Sequence, residues 1–564
     1  MKYSDIVLIY NELSKTTGKL EKSSILAKFL PHFRGHEEYV YLLRGRVFAE
    51  YDVREFGVST QLVIKAIAKS SGLKSEKVVE HFRKEGDLGD VAATLWSHKK
   101  QSALFSKTLT AEHVLASLRS LCVIEGHGAV DKKLNIIVEL LMNASSDEAR
   151  YIIRTILGDL RIGVADAILL DAVVEAFFSE DLEMHDKVRH AYDLVTDLSR
   201  VLEMAFKGKK AFEHVMLLPG RPMNVMLPVK VTEIDEAFRI CGKPAAIEHK
   251  YDGFRVLISF DGKEIKLFTR RLEDVTKQFP DVVEHVKSYV KGKSFILDSE
   301  VVGYNKEKKK YLPFEGISQR IKRKYHIDKL VRELPVEVVV FDVLYYNGEN
   351  SVELPFKDRR KLLESIVKEE RWKFKLATQI VTDDVKKAEE FYKNALKIGE
   401  EGVIFKNLES TYKPGRYVGQ IVKLKPQAAD LDLVIIGAEY GKGKRTGGLT
   451  SFNVACRHNG DFLSVGMVSS GLKEKSEEGT TYKEIDEILQ KLVTKEEGNY
   501  VHVKPKVIVS VTYQNVQKSP TYSSGHALRF PRITHYRPER GVRDIASLED
   551  IEKEVKRGIR KSER

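Results

Sequence analysis

The chain has 564 residues, of which 42% are hydrophobic and 31% are charged. At roughly 150 residues per domain this length predicts three or four units that can each bury a core, and it excludes disorder along the whole chain. No stretch approaches the roughly 18 uninterrupted apolar residues of a membrane span. The three cysteines, Cys122, Cys241 and Cys456, lie far apart, which excludes a disulfide scaffold and a cysteine-rich zinc module. We therefore expect a soluble, intracellular protein.

The charge balance favours a polyanionic partner. The chain carries 94 basic and 82 acidic side chains, a formal net charge of +12. Each phosphate that a basic protein neutralises releases condensed counterions, so such a surplus suits nucleic-acid binding. A surface rich in salt bridges, as in heat-adapted proteins, would give a similar composition. Composition alone leaves both explanations open.

Residues 1 to about 210 are predicted to be helical, because apolar residues recur there at three- and four-residue spacing. The first segment has the pattern of an amphipathic helix and not of a signal peptide. Two further helices are predicted at 133–144 and 166–178, the second with Asp166 as its N-cap. A connector rich in glycine and proline follows at 217–228.

Beyond the connector the pattern changes to short β-branched and aromatic strands, some of them separated by helical runs. This middle region is therefore predicted to be mixed α and β. From about Lys425 nearly all segments are short strands with glycine turns, and five or six strands in about 130 residues suit a small barrel of the OB type. The charged tail at 551–564 is predicted to be helical.

The most informative segment is Glu248-His249-Lys250-Tyr251-Asp252-Gly253-Phe254-Arg255. The two-residue period of a strand places Glu248 and Lys250 on one face, and Asp252-Gly253 supplies turn chemistry. Taken alone, a KxDG pattern equally fits an exposed lysine beside a hairpin turn.

An ordered series of short motifs follows this segment: FTRR at 268–271, FILDSEVV at 295–302, VFDVLYY at 340–346, EEGVIFK at 400–406, IVKLKP at 421–426 and RFPR at 529–532. In order and spacing the series closely resembles that of the covalent nucleotidyltransferases, specifically the ATP-dependent DNA ligases of archaeal and eukaryotic replicative type. The resemblance covers nearly the whole chain.

The resemblance implies three domains: an all-α DNA-binding domain at 1–215, an α+β nucleotidyltransferase (adenylation) domain at 216–424, and a β-barrel OB-fold domain with a short C-terminal helical tail at 425–564. It implies a monomer that uses ATP and Mg²⁺, with Mn²⁺ as an alternative, to seal nicks in double-stranded DNA during replication, repair and recombination. The expected location is the cytoplasm, in association with the nucleoid.

The resemblance also implies roles for individual residues. Lys250 would be the nucleophile, and its amine must lose a proton despite a reference pKa near ~10.4. Desolvation and neighbouring positive charge would favour that loss. The residues implied in binding the nucleotide are Glu248 beside the adenine, Phe341 stacked on it, and Lys250, Arg255, Arg270, Glu300, Arg416, Lys423, Lys425, Arg529 and Arg532 around the ribose and phosphates. Glu300 and Glu401 are the implied metal ligands.

Two positions depart from the family pattern. Arg416 stands one position nearer the preceding Pro-Gly than the family's nucleotide-contacting arginine. After RFPR the family commonly has an arginine followed by an Asp-Lys pair, where this chain has Arg537-Pro538-Glu539-Arg540.

Two further segments suggest macromolecular contacts. RTILGDLRIGVADA at 154–167 resembles the segment with which the family grips the duplex backbone, and it would act through Arg154, Gly158, Arg161 and Gly163. Alternatively, these glycines only cap and connect two helices. Gln101, Leu104 and Phe105 resemble a sliding-clamp-binding motif, although an amphipathic helix start fits them equally well.

Other functions fit the sequence less well. An RNA ligase or an mRNA-capping guanylyltransferase would not usually carry a long helical domain before the KxDG strand, and an NAD-dependent ligase would carry a cysteine-ligated zinc module. A DNA-binding scaffold without activity is a further alternative. A P-loop ATPase is excluded, since GKGKRTGG at 441–448 lacks the required spacing. The sequence leaves open whether ATP or ADP is the adenylyl donor.

Overall fold

The computed structural model describes residues 1–97, 107–178, 181–312, 314–321, 323, 325–415, 420–426, 430–441, 448–474 and 480–563. The chain forms two compact units. The first comprises Met1–Pro228, Gly253–Ala377 and Leu408–Gly419, and the second comprises Val229–Asp252, Thr378–Asn407 and Gln420–Arg564. In the ranges given above, no helix is both long and apolar enough to cross a bilayer.

The N-terminal part of the first unit is helical, as predicted. Its helices are α1 (Tyr3–Lys15), α2 (Lys19–Phe29), α3 (Thr60–Ser71), α4 (Ser75–Glu85), α5 (Leu88–Ser97), α6 (Ala111–Val123), α7 (Ala129–Asn143), α8 (Ser146–Ile156), α9 (Asp166–Phe178), α10 (Glu183–Val195) and α11 (Leu198–Lys207). Short 3-10 helices lie at Leu30–Phe33, Glu37–Arg44 and Lys209–Phe212.

Helix α8 shows how local sequence sets both ends of a helix. Ser145 and Glu148 form a reciprocal capping box at its start. At its end Gly158, with φ +71°, donates to the Thr155 carbonyl, and the next amide donates to Arg154, which is the Schellman pattern. The alternative that Gly158 caps a helix therefore describes its local role.

Asp166 differs from the sequence prediction. It is the first residue of α9 rather than its N-cap. Its carboxylate instead accepts hydrogen bonds from Arg44 Nε at 2.6 Å and from the Tyr192 hydroxyl at 3.0 Å. A long-range ion pair has taken the place of the expected local cap.

The central region alternates strands and helices in both units. In chain order these are β1 (Val229–Val231), α12 (Ile234–Cys241), β2 (Ala245–Lys250), β3 (Phe254–Phe260), β4 (Ile265–Thr269), α13 (Pro280–Tyr289), β5 (Phe295–Asn305), β6 (Lys310–Tyr311), α14 (Phe314–Ile321), α15 (Ile327–Glu333), β7 (Val336–Tyr346), β8 (Glu349–Asn350), α16 (Phe356–Ile366), β9 (Phe374–Leu376), β10 (Gln379–Thr382), α17 (Val385–Lys397), β11 (Gly402–Asn407) and β12 (Ile421–Leu424).

The C-terminal region is rich in strands. It contains β13 (Leu431–Tyr440), β14 (Leu449–His458), β15 (Asp461–Val468), α18 (Tyr482–Gln490), β16 (Val493–Glu497), β17 (Tyr500–Val503), β18 (Ile508–Thr512), β19 (Val516–Lys518), β20 (His526–Leu528), β21 (Arg532–Tyr536) and α19 (Leu548–Glu563).

The first unit contains a sheet in the order β4-β3-β5-β7-β8, with β6 paired to β5 and β9 to β7. Its strands are mostly antiparallel, and one face is apolar. Val256, Leu297 and Val338 from this face pack with α13 and α16 through buried residues such as Val286 and Leu363. The sheet thus gives the polar side chains that project from β3, β5 and β7 a rigid base.

The second unit contains a smaller sheet in the order β1-β12-β11-β2-β10. Strand β2 pairs with both β10 and β11, so Lys250 lies opposite Gly402. Buried Ile247, Phe405 and Val422 pack against α12 and α17. Because β2 pairs here while β3 joins the other sheet, the turn that follows Lys250 is not a hairpin.

The C-terminal sheet of the second unit is built around β13, which pairs with β14, β17 and β18. Its core includes Phe452 and Val509 and is covered by α18 and α19. Among the described residues the region has nine strands, more than the five or six predicted. The strand-rich character and the helical tail are confirmed, and closure into an OB-type barrel stays a prediction.

Candidate active site

The predicted nucleophile is held in a group of three charged side chains in the second unit, which we call the lysine cluster: Lys250, Glu401 and Lys425. Lys250 ends β2, and its Nζ lies 2.5 Å from Glu401 Oε2. Lys425, just beyond β12, forms an ion pair with the same oxygen. The Glu401 amide also donates to the Lys250 carbonyl at 2.9 Å, which fixes the two backbones together.

Gly402 makes this arrangement possible. Its φ is +147°, and a Cβ at this position would lie 2.2 Å from the Leu424 carbonyl oxygen. A side chain here would therefore collide with backbone, so only glycine lets β11 approach β12 this closely. The glycine of the EEGVIFK motif thus sets the position of the preceding Glu401.

Opposing effects set the protonation state of Glu401. Burial would raise the pKa of its carboxyl, but the charges of Lys250 and Lys425 outweigh burial and lower that pKa to about 2. For Lys425, burial and then the charge of Lys250 lower the pKa of the amine. Two ammonium groups therefore compete for one carboxylate, a setting in which an amine gives up its proton more readily.

Acid should remove the stability that Glu401 contributes. Its folded pKa lies below the ordinary value of 4.5, so the contribution is complete above that value and is lost as the pH falls towards 2. The shift corresponds to on the order of 3 kcal/mol. We expect thermal unfolding to show Glu401→Gln less stable than the parent at neutral pH, and the two proteins to converge in acid. The exposed variant Glu364→Gln is the control, and a difference that does not change with pH would contradict the prediction.

A second ion pair lies beside the lysine cluster on the same strand. Glu248 and Lys406 are only 2% and 5% exposed, and Lys406 Nζ lies 2.7 Å from Glu248 Oε2. Gln379 Nε2 donates to the other carboxylate oxygen at 2.9 Å. Glu248 thus pairs with Lys406 as a carboxylate, and a carboxylate accepts hydrogen bonds but donates none.

A group of buried polar residues lies in the first unit, and we call it the arginine cluster: Arg255, Asp298 and Tyr412. Arg255 on β3 donates to both oxygens of Asp298 on β5, at 2.8 and 2.6 Å, and to the Met226 carbonyl at 2.6 Å. The Tyr412 hydroxyl donates to Asp298 at 2.7 Å. Burial would lower the pKa of Arg255, but the neighbouring Asp298 and Tyr412 and the hydrogen bonds to Asp298 together outweigh burial and raise it. The guanidinium is therefore a fixed positive charge.

Other predicted residues surround the arginine cluster in the first unit. Glu300 is paired with Arg255 across β3 and β5. The ring of Phe341, on β7, lies 5.5 Å from the Arg255 guanidinium carbon. Arg270 follows β4 and is exposed. The first unit thus brings Arg255, Glu300 and Phe341 together on adjacent strands.

The remaining predicted residues of the second unit lie in two places. Lys423 lies on β12, opposite Ile404 of β11. Arg529 follows β20, and Arg532 begins β21 and is exposed. The predicted nucleotide contact Arg416 lies outside the described residues, as do Gln101, Leu104 and Phe105.

The predicted DNA-binding segment, 154–167, spans the end of α8, the loop that follows and the start of α9. Arg154 is 11% exposed and is bound to Asp87 and Asp90, at 3.3 and 3.0 Å. Arg161 is 47% exposed and lies 3.1 Å from Asp87. Arg161 is therefore the better placed of the two arginines to contact a phosphate. Gly158 and Gly163 both have positive φ, and a Cβ on Gly158 would point into open space.

Two cations fix the backbone of this loop from the inside. The buried Lys22 amine donates to the Ile162 carbonyl at 2.5 Å, and Arg44 Nη1 donates to the Val164 carbonyl at 2.5 Å. A Cβ on Gly163 would lie 2.7 Å from Lys22 Nζ, so a side chain at this position would displace that amine.

The structure supports the predicted metal site less strongly than it supports the lysine cluster. Within the described ranges, no group of three or more His, Cys, Asp or Glu side chains is placed to hold a metal ion. Mg²⁺ usually takes one or two carboxylates together with substrate phosphates rather than a complete protein cage. Glu401 is a single carboxylate that Lys250 and Lys425 already hold, so a metal ion arriving with a nucleotide would have to take the place of one of these ammonium groups.

Several functional candidates were missed by sequence reasoning. Three such residues are Asp298, Tyr412 and Lys406. They are buried and lie within apolar or unassigned segments, so the sequence pattern alone does not distinguish them from core residues. A usable signal existed for Asp298, because it lies two residues before Glu300 and thus on the same strand face.

Comparison with known proteins assigns the family. Residues 2–174 match the model of the DNA ligase N terminus, residues 225–425 that of the ATP dependent DNA ligase domain, and residues 445–540 that of the ATP dependent DNA ligase C terminal region. The chain is 44% identical over 566 residues to the DNA ligase of Nanoarchaeum equitans, with 99% of each chain covered. It is 39% identical over 556 residues to the DNA ligase of Thermococcus fumicolans, with 98% of each covered.

A solved structure named Pmar-Lig_Pre. shares the fold, with a TM-score of 0.57 at 16% identity over 94% of this chain and 98% of that one. The matches to the three family models and to full-length relatives agree with the resemblance noted in the motif series. The chain belongs to the ATP-dependent DNA ligase family, and it is a DNA ligase that uses ATP.

Proposed function

We propose that this ligase seals nicks through a covalent lysyl-AMP on Lys250 and a DNA-adenylate intermediate. The observation that carries the proposal is the lysine cluster, in which the Lys250 amine lies 2.5 Å from a buried carboxylate that a second lysine shares. A lysine that serves only as a surface charge would have no need of a buried carboxylate or of a competing cation.

The proposed reaction has three steps. The neutral Lys250 amine attacks the α-phosphorus of ATP and forms a P–N bond; the bond from this phosphorus to the bridging oxygen breaks, pyrophosphate leaves with that oxygen, and the nitrogen releases a proton to solvent. A 5′-phosphate oxygen at the nick then attacks the same phosphorus, the P–N bond breaks, the lysine nitrogen takes up a proton, and DNA-adenylate forms. Finally the 3′-hydroxyl attacks the 5′-phosphate and releases its proton to solvent, the phosphodiester forms, and AMP leaves as the phosphoanhydride bond breaks.

Phosphoryl transfer of this kind depends on positioning and on neutralising charge. The Lys425 charge beside Lys250 favours the loss of a proton from one of the two amines. Glu401 and, on the family resemblance, Glu300 would hold Mg²⁺, which supplies charge neutralisation at the phosphates. Mn²⁺ is an alternative.

We propose the following nucleotide contacts. The carboxylate that Glu248 presents to Lys406 accepts hydrogen bonds, which suits the amino group of adenine and not the carbonyl of guanine. Phe341 offers an aromatic face for the base. The proposed contacts to the ribose and phosphates are Arg255, Arg270, Glu300, Arg416, Lys423, Lys425, Arg529 and Arg532.

The direct test is incubation of the protein with labelled ATP or GTP and Mg²⁺ in the absence of DNA, followed by peptide mass analysis. We expect AMP on Lys250. A label from GTP would indicate a guanylyltransferase, and no label from either nucleotide would indicate an inactive scaffold. A parallel incubation with ADP in place of ATP tests which of the two nucleotides donates the adenylyl group.

The proposed grip on DNA rests on the loop between α8 and α9, where Gly158 faces open space and Arg161 is half exposed. Lys22 and Arg44 draw its carbonyls inward, so we propose that amides and Arg161 meet the phosphates. A ligase must meet nicks in any sequence, so phosphate contacts should dominate.

The change Arg161→Ala should therefore weaken binding of nicked duplexes equally for all sequences and reduce the slope of log affinity against log salt by about 1. Titration of several nicked duplexes at a series of salt concentrations measures both. The exposed Arg83→Ala on α4 is the matched control. An unchanged salt slope for Arg161→Ala, or loss that depends on base sequence, would remove this loop from the proposed interface.

The remaining proposals concern organisation and partners. We propose domains at 1–215, 216–424 and 425–564, a monomer, and action in the cytoplasm with the nucleoid during DNA replication, repair and recombination. The segment with Gln101, Leu104 and Phe105 is proposed to contact a sliding clamp, and its deletion should leave sealing of free nicked DNA unchanged.

A further inference from the structure

Tyr412 stands out among the polar residues to which no role has been given. Its side chain is 3% exposed and lies in the segment after β11. Its hydroxyl donates to Asp298 at 2.7 Å and accepts from the Met226 amide at 2.9 Å and from Arg255 Nη2 at 3.2 Å. A hydroxyl has one donor and two acceptor positions, so all three are used.

The backbone of Tyr412 is fixed as well. Its amide donates to the Val352 carbonyl at 2.8 Å. The buried Arg359 guanidinium carbon lies 5.7 Å from its ring centre, and Arg359 itself binds Asp342 at 2.7 and 3.0 Å. Tyr412 is thus packed between two buried arginine–aspartate pairs, and its ring has little freedom to move.

These contacts decide where the Arg255 guanidinium lies. Asp298 binds Arg255 through two oxygens, and the Tyr412 hydroxyl binds both the Asp298 carboxylate and the guanidinium. Burial and then the Asp298 charge raise the pKa of the Tyr412 phenol, so the hydroxyl keeps its proton and stays a donor. Without it, the Asp298 oxygen, the Met226 amide and one Arg255 N–H would each lose a partner.

We propose that Tyr412 is a positioning residue for adenylyl transfer, acting through Asp298 to hold Arg255 in the orientation that meets the nucleotide. The inference rests on the proposed nucleotide contact of Arg255. Tyr412 itself touches neither nucleotide nor DNA in this proposal. Its effect should therefore appear only while Arg255 is present.

The test measures the rate of lysyl-AMP formation against ATP concentration for the full chain and four variants. Tyr412→Phe should lower kcat/KM by roughly ten- to a hundred-fold, since small displacements of a positioned group have effects of this size. Arg255→Ala should lower it at least as much. The double variant should be no slower than Arg255→Ala alone, because the two side chains act through one group.

Tyr41→Phe is the matched control. The Tyr41 hydroxyl is also buried and also donates to a buried aspartate, Asp197, at 2.7 Å. It lies in the helical region, so its loss should leave lysyl-AMP formation at the parent rate. Equal slowing by Tyr41→Phe would show a general effect of a lost buried hydroxyl and would overturn the inference.

Two other results would also overturn the inference. In the first, Tyr412→Phe forms lysyl-AMP at the rate of the parent protein. In the second, the double variant is slower than Arg255→Ala by the same factor by which Tyr412→Phe is slower than the parent. If Tyr412→Phe does not fold, p-aminophenylalanine at position 412 keeps a donor to Asp298, and it should react faster than Arg255→Ala. Failure of the proposed function would give a different result from failure of this inference. It would appear as lysyl-AMP formed by Lys250→Ala, or as an Arg255→Ala variant that reacts at the rate of the parent protein.

Discussion

Replacement of Lys250 by alanine should lower the formation of lysyl-AMP by at least roughly a thousandfold, because it removes the amine that is proposed to form the P–N bond. The fold should persist. Lys250 lies at the end of a strand, and Glu401 keeps its ion pair with Lys425 in the variant. Mass analysis after incubation with ATP and Mg²⁺ measures the loss, and thermal unfolding checks that the variant is folded.

Lys250→Arg separates chemistry from structure. Arginine keeps a positive charge for Glu401, but its guanidinium stays protonated and is a poor nucleophile. It should therefore be as inactive as Lys250→Ala with ATP while retaining the parent's stability.

The loss should also be confined to the first step. A nick that already carries AMP on its 5′-phosphate needs no lysyl-AMP, so both variants should seal it within about tenfold of the parent rate. AMP found on the protein after Lys250→Ala would refute the assignment of the nucleophile.

The second large effect is expected from the arginines of the RFPR motif. Arg532→Ala and Arg529→Ala should each slow lysyl-AMP formation from ATP by about a hundredfold, because each would remove a cation from the leaving pyrophosphate. Arg532 is exposed at the start of β21, and Arg529 lies at the end of the hairpin formed by β19 and β20. Neither change should unfold the sheet.

Arg540→Ala is the control for this prediction. Arg540 is a basic residue of the same region, and it pairs with Asp432 outside the motif. Sealing of a pre-adenylated nick separates the possible roles: the arginines contact the leaving group if only the reaction with ATP is slowed. They contact DNA instead if only sealing is slowed, and parent rates in both assays would exclude either role.

The candidate site was largely predictable because its residues occur in short motifs of fixed order. Lys250, Glu401 and Lys425 were named from the sequence, and the structure brings them into one cluster. Their partners were less predictable. The Tyr412 hydroxyl and Asp298 lie 114 positions apart, and no local pattern indicates that they meet.

Local sequence also predicted many elements where propensity and capping agree. The helical period predicted α7 and α9, and short runs between glycine turns predicted β13 to β15. The sequence analysis did not predict α18, although Thr481 and Glu484 form a capping box that could have indicated this helix. The predicted N-cap of α9 was wrong, because the Asp166 side chain pairs with the distant Arg44 instead of capping the helix.

The sequence by itself determined the family and the order of helical, mixed and strand-rich regions, because these depend on residue types and short spacings. On the same basis it predicted Lys250 as the nucleophile. Only the tertiary structure decided that β2 and β3 join different sheets although three residues separate them. It also decided that Arg154 is engaged by Asp87 while Arg161 is half exposed. Strand pairing and buried ion pairs depend on partners far apart in the chain, and their energy comes from burial that only the folded protein provides.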